Sequence, residues 1–436
     1  MIFRIAYRNV KKNWRKSYAA ILAIAVGFVA QSLFVGYLDN VEKLFEAMYA
    51  NKQMYGDLII EDARRMQSVG KYDPLKYAIS ADSASQISEW VNQRPDTVHS
   101  YVQFLQFSGM ITDGKTQLVV VGSGNDHKYS QKMRQAFAWD AKYGTPLEAE
   151  PKPLTALLGV QLGSWMGCLP NPTVELNLEL TGYPPVIRPF KCSNQLLQVT
   201  ALTESGQINA LNFSIKGLAD GGIREIDSRL LLTDLKSIQT LLNTNKITYA
   251  TLKWNSGVNQ HESKKELNKL LKSIDENLHF VSWKEHEDGI LFAQSMEILN
   301  VFRYFVVIIV LLIAGMSVFN TSIKSVIERV KEIGTLLSLG FKQIHVLQIF
   351  LAESLITCLI GNVFGCLIAT SITTLLNSLN IGYRAGIYTE ATLIQINFIP
   401  LAFFNAAIVT FVVSGLTTYF AVKYFINKRI IQNLNG

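Results

Sequence analysis

Two short motifs in this 436-residue chain bring together side chains of the kind that do chemistry. His261-Glu262-x-x-Lys265 begins like a zinc-protease helix, in which histidines four apart hold the metal and the glutamate acts as base. Lys265 stands where the second histidine is needed, so no metal site is expected. Gly122-Ser123-Gly124 sets a serine between glycines, but the flanks of a nucleophile elbow are missing and no helix follows directly. No stretch is read as a loop that cradles nucleotide phosphates, so any ATP is expected to be hydrolysed by another chain. The chain is therefore expected to hold no catalytic residue and no cofactor, with ATP and magnesium used by a partner.

The cysteines point to a compartment. Cys168 and Cys192 lie in a loop-like neighbourhood with Gly163, Gly167, Pro170, Pro172, Pro184, Pro185 and Pro189. In an oxidising space they would form a disulfide closing a loop of about 25 residues, worth ~3 kcal/mol on the chain-entropy model. The alternative is a pair of free thiols. No histidine stands near either one, and the other two cysteines, Cys358 and Cys366, fall within an apolar segment.

A third chemical feature is a polar island, Thr321 to Gly340, between two apolar segments. Ile323, Val326, Ile327, Val330, Ile333 and Leu337 draw an apolar stripe along a helix, and Lys324, Glu328, Arg329, Lys331 and Glu332 take the other face. Charge pairs three and four apart add only a few tenths of a kcal/mol each, so this helix must lie against something. Gly340 supplies its stop, because a residue without Cβ takes the left-handed conformation.

The elements that position these residues follow from composition. A hydrophobic share of 49% against 17% charged residues predicts a membrane protein. The first sixteen residues carry Arg4, Arg8, Lys11, Lys12, Arg15 and Lys16 and no acid, a cytoplasmic anchor rather than a nucleic-acid patch. Phe3, Ala6, Tyr7, Val10 and Trp14 share the opposite face, so residues 1–17 are expected to form an amphipathic helix in the headgroup region. Residues 18–38, 304–323, 352–376 and 398–422 are each long and apolar enough for a hydrocarbon core of ~30 Å. Residues 39–55 and 288–303 read as helical stalks, 324–345 as the cytoplasmic island, 377–397 as a short outer loop with Arg384 and Glu390, and 423–436 as a tail. Gly361 and Gly365 have the GxxxG spacing that lets helices approach closely, or are two incidental glycines facing lipid. Glu353, at the entry of its span, suits a polar contact better than an ion path. Basic residues at the N-terminus, after the second span and after the fourth place the termini and the island in the cytoplasm. Residues 56–287 are then an extracytoplasmic mixed α/β domain. Its strands are expected at Asp57–Glu61, Val98–Phe107, Gln117–Val121, Gln198–Leu202, Leu211–Ile215 and Ile247–Lys253, and its helices at Ser83–Asn92, Asp234–Leu242 and His261–Ser273.

Glu328-Arg329, Glu332-Ile333-Gly334, Leu339-Gly340 and the opening Phe350-Leu351-Ala352-Glu353-Ser354 resemble the signature of MacB/FtsX-type ABC transporter permeases. Ile208 to Asp227, INALNFSIKGLADGGIREID, and the later LLLTDLKSIQTLL resemble the periplasmic domain of the lipoprotein-releasing (Lol-type) branch. The resemblance implies a two-lobed outer domain, with a first lobe at 56–115 and 229–287 and an inserted lobe at 116–228. It implies a bacterial inner-membrane dimer, with a second permease copy or paralogue and two copies of a cytoplasmic ABC ATPase docking on the island. Glu328, Arg329, Glu332, Ile333, Gly334 and Gly340 would couple to that ATPase. The substrate would be a lipoprotein or other periplasmic molecule, with a possible periplasmic or outer-membrane accessory protein. An FtsX-like regulator of a cell-wall hydrolase is the alternative, and the Leu162 to Cys192 stretch departs from the family pattern.

Overall fold

The computed structural model describes residues 2–12, 14–65, 73, 75–134, 141–147, 152–171, 188–383, 389 and 392–434. Pro172, Pro184, Pro185, Arg384 and Glu390 lie outside the described residues. Helices α1 (Ile2–Lys12) and α2 (Trp14–Glu46) open the chain, the latter running into a π turn at Ala47–Lys52. Then follow β1 (Leu58–Asp62), α3 (Ala81–Asn92), β2 (Val98–Thr112), β3 (Gln117–Asn125), α4 (His127–Arg134), β4 (Tyr143–Gly144), β5 (Thr155–Gly159) and α5 (Val160–Trp165). The strand pair β6 (Cys168–Pro170) and β7 (Phe190–Cys192) precedes β8 (Leu196–Leu202), β9 (Ile208–Ala219), α6 (Arg224–Asp227), β10 (Leu230–Asp234) and α7 (Leu235–Leu242). Next come β11 (Tyr249–Trp254), α8 (Gln260–Ile274) and β12 (Leu278–Val281). The last elements are α9 (Glu287–Glu328), α10 (Val330–Ser338), α11 (Gln343–Ser378), β13 (Gly382–Tyr383), β14 (Thr392–Leu393) and α12 (Pro400–Leu434). Two compact units result: a helical one of Met1–Glu42, Ser295–Ile381 and Ile394–Gly436, and a mixed α/β one of Lys43–Gln294 and Gly382–Leu393.

In the mixed unit, β12, β1, β11 and β2 form an antiparallel run. Leu58, Ile60, Tyr101 and Leu252 of these strands bury against Ile87 and Trp90 of α3 and Leu267 and Leu271 of α8. Strand β2 is 15 residues long and serves two structures. Its first part pairs with β11, while Gly109–Thr112 pair with β8, and β3 lies along its other edge. From β3 the ladder passes through β10, β5, β9 and β8 back to β2, closing a six-stranded barrel in which only β3–β10 and β5–β9 are parallel. Closure leaves these staves no free edge. Leu105, Phe107, Ile111, Val120, Leu158, Val199, Phe213 and Leu231 form the barrel's core. The lobe boundaries expected near Thr116 and Arg229 are corrected here: Gly109–Thr112 and β10, assigned to the first lobe, are staves that the barrel needs in order to close.

The ends of the stalks in this unit meet through rings. Phe45 stacks on Phe292 at 4.3 Å, Tyr49 on Trp283 at 5.4 Å, and Trp283 on Phe292 at 5.5 Å. Such contacts add about 0.5–1.5 kcal/mol each beyond their buried area.

In the helical unit, four segments are long and apolar enough to cross a membrane: Ser17–Lys52, Phe292–Glu328, Gln343–Ser378 and Pro400–Phe425. Helices α2 and α9 outrun their apolar runs, because each also contains residues of the adjoining expected stalk. Gly361 and Gly365 pack α11 on α2. A Cβ at Gly361 would stand 2.9 Å from Ile24 Cβ, and one at Gly365 2.9 Å from Phe28 Cβ. Hydroxyls bind the other helices: Ser322 lies 3.2 Å from Thr418, Thr418 2.8 Å from Ser354, and Ser354 2.7 Å from Ser414. Hydrogen bonds of this sort do between apolar helices what water exclusion cannot.

Candidate coupling site

The island does not form one helix. Its first turns, through Glu328, belong to α9; Arg329 then leaves helical geometry with φ −108° and ψ 18°, and α10 starts afresh at Val330. The expected single helix from Ile323 to Leu339 is thereby corrected, and the cause is a side chain as much as a backbone. Arg329 Nη1 donates to Glu353 Oε1 at 2.8 Å, and its Nε donates to Glu332 Oε2 at 2.8 Å. The guanidinium also stands 5.3 Å over the Phe350 ring, a cation–π contact. The far end of α10 closes as a Schellman motif: Gly340 takes φ +87°, Phe341 N–H donates to Leu336 O and Gly340 N–H to Leu337 O, each at 3.1 Å.

The apolar stripe explains how α10 is held. Val326 is buried with Val346 and Phe350 of α11 and Val422 of α12, and Ile333 and Leu337 pack on that cluster. Ile327, counted in the stripe from spacing, is exposed, because the turn at Arg329 changes the direction of the following helix. The remaining face of α10 is open. Lys331, Glu332, Gly334, Thr335, Ser338 and Leu339 are exposed, Leu339 to 72%. A Cβ at Gly334 would meet nothing within 4 Å. The site is thus a helix sewn to the bundle on one side and presenting two charged residues, Lys331 and Glu332, with small residues and Leu339 on the other.

The polar seam continues to the N-terminus. Asn9 Nδ2 donates to the same Glu353 Oε1 at 2.6 Å. Ala6 and Val10 of α1 are buried against Ile356 of α11. One carboxyl group therefore ties α1, α11 and the turn before α10 together. The face of α1 expected from its sequence divides: Ala6 and Val10 pack on α11, whereas Phe3, Tyr7 and Trp14 are exposed. Sequence reasoning missed Asn9; the Ala6, Asn9, Val10 spacing on one helix face was the available signal. Beside the seam is a cavity of about 370 Å³ lined by Asn9, Ser17, Lys324, Glu328, Glu353 and Ser354 among others.

Of the other residues singled out from sequence, Cys168 and Cys192 are bonded to each other across the β6–β7 pair. His261, Glu262 and Lys265 are exposed on α8. Gly122 is a packing residue, since its absent Cβ would overlap the Phe107 ring. Among the described residues no group of three or more histidine, cysteine, aspartate or glutamate side chains could hold a metal ion.

One sequence expectation needs correcting on the sequence itself. Gly109-Met110-Ile111-Thr112-Asp113-Gly114-Lys115-Thr116 has the Gly-x-x-x-x-Gly-Lys-Thr spacing of a phosphate loop. The structure makes it the β2–β3 hairpin, with β3 where a phosphate loop leads into a helix. The N–H groups a phosphate would need are already spent: those of Lys115 and Thr116 donate to Asp113 Oδ1 at 2.8 and 2.6 Å, and that of Gly114 to Thr112 Oγ1 at 3.0 Å. The Thr116 and Lys115 N–H groups hold the Asp113 carboxyl below the usual range, keeping an anion where a phosphate would sit.

Residues 304–430 match the family described as FtsX-like permease C-terminal. The macrolide export ATP-binding/permease protein MacB of Aggregatibacter actinomycetemcomitans is 32% identical over 124 residues, 28% of this chain and 19% of that protein. MacB of Escherichia coli strain K12 is 30% identical over 146 residues, 33% of this chain and 22% of that protein. The chain thus spans about a fifth of the length of these curated relatives. Among solved structures, the periplasmic region of MacB from Actinobacillus actinomycetemcomitans gives a TM-score of 0.35 at 13% identity, covering 58% of this chain and 98% of that one. The extracellular domain of the ABC-type transporter YknZ from Gram-positive bacteria gives 0.33 at 10% identity, covering 52% and 100%.

Proposed function

We propose, from the match of residues 304–430 to the FtsX-like permease C-terminal family and the likeness to MacB proteins, that this chain is a MacB/FtsX-type permease, the membrane subunit of an ATP-driven envelope machine. The ATPase is a separate cytoplasmic chain, present in two copies, that docks on the open face of α10 beneath a permease dimer. ATP binding moves α10, and the Arg329–Glu353–Asn9 seam delivers that movement to α11 and α1. The mixed α/β unit works on the outer side of the bacterial inner membrane, on a lipoprotein or other envelope molecule. The supporting observation is the seam itself: a short helix bonded through the turn before it to two other helices by one partly buried carboxyl group, with its outer face left open.

Gly334→Leu tests this reading. Glycine inside a helix costs ~1 kcal/mol relative to better helix formers, and Gly334 touches no neighbour, so the variant is expected to fold at least as well as the unmutated chain. Its added bulk projects into the docking face. The expected result is normal insertion and thermal stability with loss of ATPase co-purification. Undiminished binding of the ATPase would contradict the docking assignment.

A further inference from the structure

Three segments far apart in sequence meet at Asp220, the residue that follows β9. Lys52, ending the π turn, places Nζ 2.5 Å from Asp220 Oδ2, and the two side chains are 18% and 3% exposed. Thr389, in the segment joining β13 and β14, donates its hydroxyl to Asp220 Oδ1 and its backbone N–H to Gly222 O at 3.1 Å. Gly222 N–H donates to Asp220 Oδ1 at 3.0 Å, and Gly222 takes φ +77°, which only glycine adopts freely.

The turn that carries Asp220 is held independently. Asp227 accepts Gly221 N–H at 2.9 Å, Val160 N–H at 3.2 Å and Gln161 N–H at 2.6 Å, which fastens residues 220–222 to the start of α5. Burial alone would push the Asp220 carboxyl up, but the Lys52 ammonium and the Thr389 hydroxyl hold it far below the usual carboxylate range. The Asp220 carboxyl group is therefore ionised at neutral pH.

We propose that Asp220 is a fixed latch, binding Thr389, from the stretch between the third and fourth apolar helices, and Lys52, at the foot of the first stalk, to one turn of the barrel. A buried ion pair is a poor route to stability, since desolvation offsets most of its attraction, but it specifies one geometry strictly. What it fixes here is where Thr389 and Lys52 sit on that turn. Resting on the proposed permease function, the latch gives the ATP-driven stroke a connection to the barrel through Thr389 in addition to the two stalks.

Hydrogen exchange on the full-length protein in nanodiscs tests the latch without any ATPase. Thr389→Val keeps the side-chain shape and removes only the hydroxyl bond, and Asp220→Asn removes the charge. Each is expected to speed exchange in a 382–393 peptide about tenfold while the β8 and β9 peptides keep their protection, since local opening follows the loss of local bonds. Unchanged exchange in both variants would overturn the latch. The second readout adds the partner ATPase and a substrate: Thr389→Val is expected to hydrolyse ATP normally and release substrate poorly. Faster exchange with normal release would overturn the transmitting role. Failure of the unmutated protein to bind any ATPase would instead count against the permease reading.

Discussion

Burying a carboxyl group and a guanidinium between apolar helices costs more than their attraction returns, unless further bonds satisfy both. Glu353 meets that condition through Asn9 and Arg329, and Arg329 through Glu332 and the Phe350 ring. Arg329→Ala leaves the partly buried Glu353 beside a gap and is expected to destabilise the helical unit by about 1–3 kcal/mol. Arg329→Lys keeps the charge but loses the planar fork that reaches both acids, so an intermediate loss is expected. Thermal unfolding in detergent measures both; equal melting of Arg329→Ala and the unmutated chain would mean the seam holds nothing. Glu353 was legible in the sequence as a polar contact at a span entry, because an acid in an apolar run is conspicuous. Asn9 was harder to read, because its only signal is the face it shares with Ala6 and Val10, and that face gains meaning only once the partner helix is known. The phosphate-loop spacing at Gly109–Thr116 shows the converse: a motif fixes residue types, and only the strand that follows it shows that Asp113 occupies the anion's place.

Among the elements, those with strong local periodicity were readable. The sequence strand Leu211–Ile215 lies within β9, Val98–Phe107 within β2, and His261–Ser273 within α8. The barrel was not readable, because β2 meets β8 and β3 meets β10 across about 90 to 110 residues, and pairing at that distance leaves no local period. The break at Arg329 was hidden for another reason: the apolar stripe continues through it, and the cause, Glu353, lies 24 residues away. The GxxxG pair was visible as spacing, but its partner helix was not. Gly361→Val is expected to force α11 off α2, since even a Cβ there falls 2.9 Å from Ile24 Cβ and Cγ2. A loss of about 1–3 kcal/mol follows from overpacking of this kind. The same substitution at the open Gly415, with nothing within 4 Å, serves as the control in the same melting measurement.

At the scale of the whole molecule, α9 is the element of longest reach. Its 42 residues at about 1.5 Å each give a rod of about 63 Å, twice the ~30 Å of hydrocarbon it has to cross. The central claim is that force enters at α10 from a cytoplasmic ATPase. A photo-crosslinking residue in place of Leu339, exposed on that helix and distant from the seam, tests it most directly in membranes containing the partner ATPase. One crosslinked product with the mass of this chain plus one ATPase subunit is expected, absent when the residue is placed at the similarly exposed Ile208 of β9. No product at 339, or the same product from position 208, would contradict it.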